Sequence, residues 1–342
     1  MVIFIKVGDG MVNRSKMTST EIGALWITYQ KKTLILRVLE HFIEVSDDKR
    51  AKKLMKGLWS ELDPNVDRIE KMFKDEGAVI PQGFTKADVN LQAPKLFGEG
   101  FDILLCMILK EISMGLYTLH IATSYRNDII DLYREMTNIT QKYYQKFLNY
   151  AVDEGYYPLP NFINVPTTVD FVSDKNYIKG YRLFGDKREI NTIEFSYLYQ
   201  SIQTNTIGME LMTGFAQTAE HTEVKEYLIK GKELSKDILE GTYDILIKDD
   251  IRVPTIKGLS LTKSNIPPFS DKLMVYLTFL LSNFGLGSQG FGAGFSIRDD
   301  INVKLGLYVK DIMLFIRENI KIMIENGWLE EPPRMSMNNL KE

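Results

Sequence analysis

The stretch richest in apparent chemistry is SNFGLGSQGFGAGFSIRDD, residues 282–300. Gly285, Gly287 and Gly290 carry the G-x-G-x-x-G spacing that lets a backbone approach a pyrophosphate, and Gly292 and Gly294 follow. Such a loop needs a strand before it, a helix after it and an acidic residue about 20 positions on. The residues before Gly285, SDKLMVYLTFLLSNF, read instead as the start of a buried helix, so a nucleotide is not the expected ligand. SYRND (124–128) and SIRDD (296–300) resemble a Ser-Arg-Asp catalytic set. Helix starts are the simpler chemistry: Ser124 and Ser296 as N-caps, with Asp128, Asp299 and Asp300 near the positive helix end.

Metal chemistry has little to draw on. There are three histidines, His41, His120 and His221, and none follows a Glu by three residues as a di-iron helix bundle requires. His41 and Glu44 give the reversed order and remain the only candidate metal pair. Cys106, inside ILLCMILK, has Lys110 as its one basic neighbour and reads as an inert buried thiol. No catalytic residue, metal site or cofactor is therefore assigned.

These residues sit on a chain of 342 amino acids with a net charge of −3 and 44% hydrophobic residues. The charge balance gives no attraction to nucleic acid or anionic membranes. A single cysteine excludes an intrachain disulfide and suits a reducing cytoplasm.

The chain repeats itself at an offset of about 172 residues, the kind of self-similarity that decides a fold. SYRNDI returns as SIRDDI, DEGYYPLP (153–160) as ENGWLEEP (325–332), and AVIPQGF (78–84) as IRVPTIKGL (251–259). Each half reads as four helices with apolar stripes at helical period, for example Met55, Leu58, Leu62, Val66, Ile69 and Phe73. Pro64 predicts a kink, or a restart capped by Asp63. Short turns at 46–48 and 123–126 contrast with long connections at 81–98 and 254–271, each able to run the length of a bundle. The expected fold is all-α: two ferritin-like four-helix bundles in tandem, each with a long helix 2–helix 3 crossover, packed by pseudo-twofold symmetry. The expected divisions are a loose leader at 1–16, repeat 1 at 17–165, a linker at 166–190, repeat 2 at 191–333 and a tail at 334–342.

Residues 273–297 carry no charge, and 197–219 carry one, Glu210. Helices apolar all round belong inside, so the first and third helices of each half are expected to meet at a seam, with the charged second and fourth helices outward; the first helix of the first half, with Lys31, Lys32 and Arg37, fits this less well. A membrane span is not expected. Gly287, Gly290, Gly292 and Gly294 then become packing positions at that seam, with His120 facing the Gly292 position. The rival reading is that they line a cavity for an apolar small molecule.

The helix start TSTEIGALW, the run SDKLM, the small-residue helix, SIRDD and the ending GWLEEPP give the chain a family likeness. It resembles domain-of-unknown-function family 3231 of endospore-forming bacteria, from about Thr18 to Pro333, a group similar in turn to spore coat protein F. The resemblance implies tandem ferritin-like bundles and a spore-associated, cytoplasmically made structural protein. It carries over no catalytic residue. The expected function is a non-enzymatic structural or interaction protein with unidentified protein partners. The alternatives are a ferritin-like metal-dependent oxidase and an apolar-ligand carrier.

Overall fold

A computed structural model describes residues 16–179, 188–257 and 259–335. Most of the expected leader, part of the linker and most of the tail thus lie outside the described residues. Eight long helices account for the architecture: α1 (Ser19–Val45), α2 (Lys49–Asp75), α3 (Phe101–Ala122), α4 (Asn127–Asp153), α5 (Thr192–Thr218), α6 (Thr222–Ile247), α7 (Asp271–Phe295) and α8 (Asp299–Glu325). They pack as hairpin pairs, α1 with α2, α3 with α4, α5 with α6 and α7 with α8. The described residues form no strand, only two isolated β-bridges.

Local sequence explains where the helices begin. α1 and α5 open on capping boxes, Thr18 with Glu21 and Asn191 with Glu194. Asp48 and Ser270 cap α2 and α7 with their side chains. α3 starts at Gly100, whose φ of 84° only glycine adopts freely, and a Cβ there would strike the Tyr156 ring at 2.7 Å. Pro64 departs from expectation: α2 runs through it unbroken, and no new helix starts at Asp63. The Asn65 side chain donates to the Glu61 carbonyl at 2.9 Å, supplying one donor beside the N–H that proline lacks.

Direction follows from end-to-end contacts. Thr20 donates to the Thr123 carbonyl and Arg126 pairs with Glu76, so α1 and α4 begin where α2 and α3 end. Tyr150 donates to Asp48 at the opposite end. α2 and α3 therefore run parallel, joined by residues 76–100.

That crossover does not lie alone. It pairs antiparallel with the crossover of the second half through the bridges Val89–Phe269 and Phe97–Leu261. Backbone bonds run from Asn90 to Pro268, Thr262 to Leu96 and Ser270 to Asp88, at 2.9 to 3.1 Å. The ends of the two halves hook across in both directions. Glu330, in the GWLEEPP ending, accepts from the amides of Gln82 and Gly83 at 2.7 and 2.8 Å. At the end of the first half, the Pro158 carbonyl accepts from the Tyr199 hydroxyl, and Asn161 donates to the Arg252 carbonyl.

The seam itself is made by α3, α5 and α7, as their low charge predicts, and by α1 despite Lys31, Lys32 and Arg37: α3 touches α5 and α7, and Tyr276 of α7 donates to Gln30 of α1 at 2.8 Å. One detail differs. α7 is buried mainly along its first half, from Asp271 to Leu280, and its glycine-rich end reaches the surface, with Phe291 and Phe295 exposed. Absence of charge marked the helix but not the extent of its burial. By length and composition only α3, among the described helices, is apolar enough to cross a membrane, and most of its apolar window is buried against other helices.

Candidate functional site

At one end of each half, a carboxylate from the first helix closes the start of the fourth. Glu21 accepts from the backbone amides of Tyr125 and Arg126 at 2.8 and 2.7 Å. Glu194 does the same for Ile297 and Arg298 at 3.0 and 2.9 Å. Burial pushes both carboxyls up, but the backbone N–H donors, and for Glu194 the Arg188 guanidinium, outweigh it and hold them below the ordinary value. Each arginine then grips the aspartate two residues on through two nitrogens, Arg126 to Asp128 and Arg298 to Asp300. Each also reaches the end of the second helix, at Glu76 and Asp249 respectively. The SxRxD motif is thus a helix-start lock, with a correction. Ser124 and Ser296 are not the caps: their hydroxyls donate to the His120 and Gly292 carbonyls, back into the preceding helix. The cap residues are Arg126 and Arg298, which offer no side-chain acceptor, so a glutamate three helices earlier in the chain supplies it.

The middle of the first half holds three amines. Lys31, Lys32 and Lys110 are all buried, at 0 to 1% exposure. The Lys31 amine lies 4.0 Å from the centre of the Tyr117 ring and the Lys32 amine 5.6 Å. Neither amine has a hydrogen-bond partner. Burial drives both well below their ordinary value of 10.5, with neighbouring lysines pushing the same way. Burial brings Lys110 down to about 8. An uncharged buried amine is nucleophilic, but the Tyr117 ring covers Lys31 and no solvent reaches it, so this interior is closed.

The second half fills the same register differently. Thr204 and Asn205 follow Glu194 at the intervals by which Lys31 and Lys32 follow Glu21, and Ser282 precedes Arg298 as Lys110 precedes Arg126. These three shorter residues line a cavity of about 50 Å³.

Two larger cavities open on the seam. One, of about 400 Å³, lies between α3 and α5 and includes Glu111, Tyr157 and Gln203 in its wall. The other, of about 350 Å³ and almost wholly apolar, is lined by Gly115 and Leu119 of α3 and by Phe284, Gly287 and Phe291 of α7. Gln200 and Phe284 belong to both walls.

The residues singled out from sequence are scattered among these features. G-x-G-x-x-G lies inside α7 and follows no strand, so no dinucleotide loop exists there. A Cβ on Gly287, Gly290 or Gly294 would meet nothing within 4 Å, so close packing is not their role. Gly292 alone is tight, with Leu305 at 2.9 Å and the Tyr197 Cβ at 3.2 Å. His120, at the Gly292 position of the first half, packs on Tyr133 with ring centres 5.2 Å apart. His41 is buried, bonds the Asn90 carbonyl at 3.2 Å and stacks edge-on against Phe269, while Glu44 points outward. The two form no ligand pair, and burial moves His41 down to about 4. Cys106 is buried and its thiol is pushed up by burial, as expected of an inert residue. Lys31 and Lys32, with Arg37, mark α1 in sequence as the seam helix least suited to burial, since adjacent lysines read as surface charge. The available signal was their place in a helix otherwise free of a charged stripe.

Two regions of the chain, residues 6–166 and 179–340, match the family described as Protein of unknown function (DUF3231). The chain belongs to this family, in two copies. The duplication read from SYRND and SIRDD coincides with those two regions. No curated protein matches the chain. Among solved structures it is similar to one described as a "putative spore coat protein" from Bacillus halodurans, at 18% identity and a TM-score of 0.42. The alignment covers 44% of this chain and 97% of that one.

Proposed function

We propose that this protein is a non-enzymatic structural or interaction protein, made in the cytoplasm and associated with the spore, built as two ferritin-like four-helix units related by a pseudo-twofold axis. The observation that carries the interaction role is the segment joining the halves. Phe162, Val165, Val169 and Phe171 stand 81 to 90% exposed along it, with Ile163 and Val172 beside them. A run of apolar side chains in water is costly to keep unless a partner covers it. Spore association is supported by the likeness of TSTEIGALW, SIRDD and GWLEEPP to a family of endospore-forming bacteria.

A metal-dependent oxidase is disfavoured by the interior of α1–α4. Lys31, Lys32 and Lys110 occupy it, so amine side chains stand where a di-iron bundle sets its carboxylate and histidine ligands. Metal analysis of the purified protein is expected to find less than one iron or manganese per chain, and a stoichiometric metal would reverse this part. The interaction reading is tested with a photo-crosslinking residue at Phe162 in sporulating cells of the source organism. The expected result is a discrete crosslinked protein, lost in a Phe162→Ser/Phe171→Ser variant that keeps its helicity, and a fluorescent fusion that moves to the developing spore. A diffuse fusion with no crosslinked product at any stage would sink it.

A further inference from the structure

The cavity between α3 and α5 is walled on one side by Leu104, Met107 and Ile108, with Ile207 and Phe284 facing them. The wall also holds Gln203, 3% exposed, whose amide oxygen and amide nitrogen are both shut off from solvent and have no hydrogen-bond partner. A buried amide with both atoms unmet is costly, and native interiors rarely leave one so. Other polar groups share the wall, among them Thr204, Tyr157 and Glu111; Glu111 bonds Gln200, and burial moves it up to about 7, so it is readily uncharged. The space is of small-molecule size.

We propose that this cavity binds a small apolar molecule bearing a planar edge with one donor beside one acceptor, a primary carboxamide or a protonated carboxylic acid. With the Gln203 side chain turned into the cavity, the edge donates to its Oε1 and accepts from its Nε2, so that one head group satisfies both orphaned atoms. The apolar body lies against Leu104, Ile108 and Ile207. A single hydroxyl fits less well, because it cannot align with both amide atoms at once. The assignment is independent of the partner-binding role of the linker and of the glycines of α7.

Octanamide and its isomer N,N-dimethylhexanamide separate head recognition from greasiness, since they share every atom but only the first has the donor. Calorimetric titration of the full chain is expected to show one saturable octanamide site, with the isomer at least about tenfold weaker. Gln203→Met, which removes the orphaned amide and keeps the volume, is expected to bring octanamide down to the level of the isomer without lowering the melting temperature. Met114→Trp, at the half-exposed rim, is expected to block both. Octanoic acid distinguishes the two sources: tighter binding of the acid at pH 5.5 names a fatty acid, tighter binding of the amide names a carboxamide. Equal binding of the two isomers, octanamide binding unchanged in Gln203→Met, or no saturable binding at millimolar ligand would each overturn the proposal, the last meaning that the cavity holds only water.

Discussion

The sharpest consequences at the scale of single residues concern buried charge. Lys31 and Lys32 are partnerless amines whose folded-state values lie below the 10.5 of the unfolded chain. Between the two values the unfolded chain binds more protons, so stability falls as pH drops through that window and is recovered as pH rises. For Lys110 the window runs from 10.5 down to about 8. Urea melts are expected to show a midpoint that climbs from pH 8 to pH 9, before Cys106 and the buried tyrosines, whose values burial raises, oppose it. A Lys31→Met/Lys32→Met variant is expected to flatten the slope and to gain about 1–3 kcal/mol at neutral pH, because apolar atoms replace unmet donors. A midpoint that falls between pH 8 and pH 9 would contradict the burial of the lysines. The arginine locks behave oppositely. Arg298, fully buried between Asp249 and Asp300, is expected to cost about 3–5 kcal/mol as Arg298→Met, since two carboxylates lose their partner. Ser296→Ala should cost less than about 1 kcal/mol in the same melt, because the serine is not the cap.

At the scale of elements, the glycines of α7 divide into two kinds that the sequence could not tell apart. Gly290 is exposed in a helix interior with open space around it, so Gly290→Ala is expected to raise stability by about 0.5–1 kcal/mol through helix propensity alone. Gly292 faces Leu305 and Tyr197, and Gly292→Val is expected to cost about 1–3 kcal/mol by overpacking. Thermal melts of the pair decide it, and equal effects would refute the distinction. Helix existence, pairing and the identity of the seam helices were legible because apolar period is a local property that every residue votes on. Which face of α7 is wet was not, since a charge-free helix carries no pattern to orient it. The capping of α4 and α8 was equally hidden: Glu21 and Glu194 are ordinary capping-box glutamates in sequence, and their second task across the bundle exists only in three dimensions.

For the whole molecule, the question is what holds two repeats together. The crossovers exchange backbone bonds at Asn90, Leu96, Asp88 and their partners, and Glu330 fastens the last turn of the second half onto the first. Thr262→Pro deletes the amide that bonds Leu96 and sits outside every helix. Calorimetry is expected to change from one cooperative transition to two, and a single unshifted transition would show that the side-chain seam suffices. The long loops at 81–98 and 254–271 were legible as crossovers from their length. Their mutual pairing was not, because backbone bonding leaves no residue-type signature, and neither did GWLEEPP announce that its first glutamate, Glu330, would serve as a clasp.

The paired crossovers also bear on what either repeat would do by itself. Residues 88–98 present a ladder of peptide groups whose complement resides in 260–270, and each half owns one rung-set of that ladder. A polypeptide cut in the joining segment is therefore ill-suited to yield two solitary monomers. The fragments would reassemble with one another, or each would recruit a twin of itself to stand in for the missing sibling, which makes an obligate pairing of small bundles the simplest ancestor that this doubled chain could have replaced.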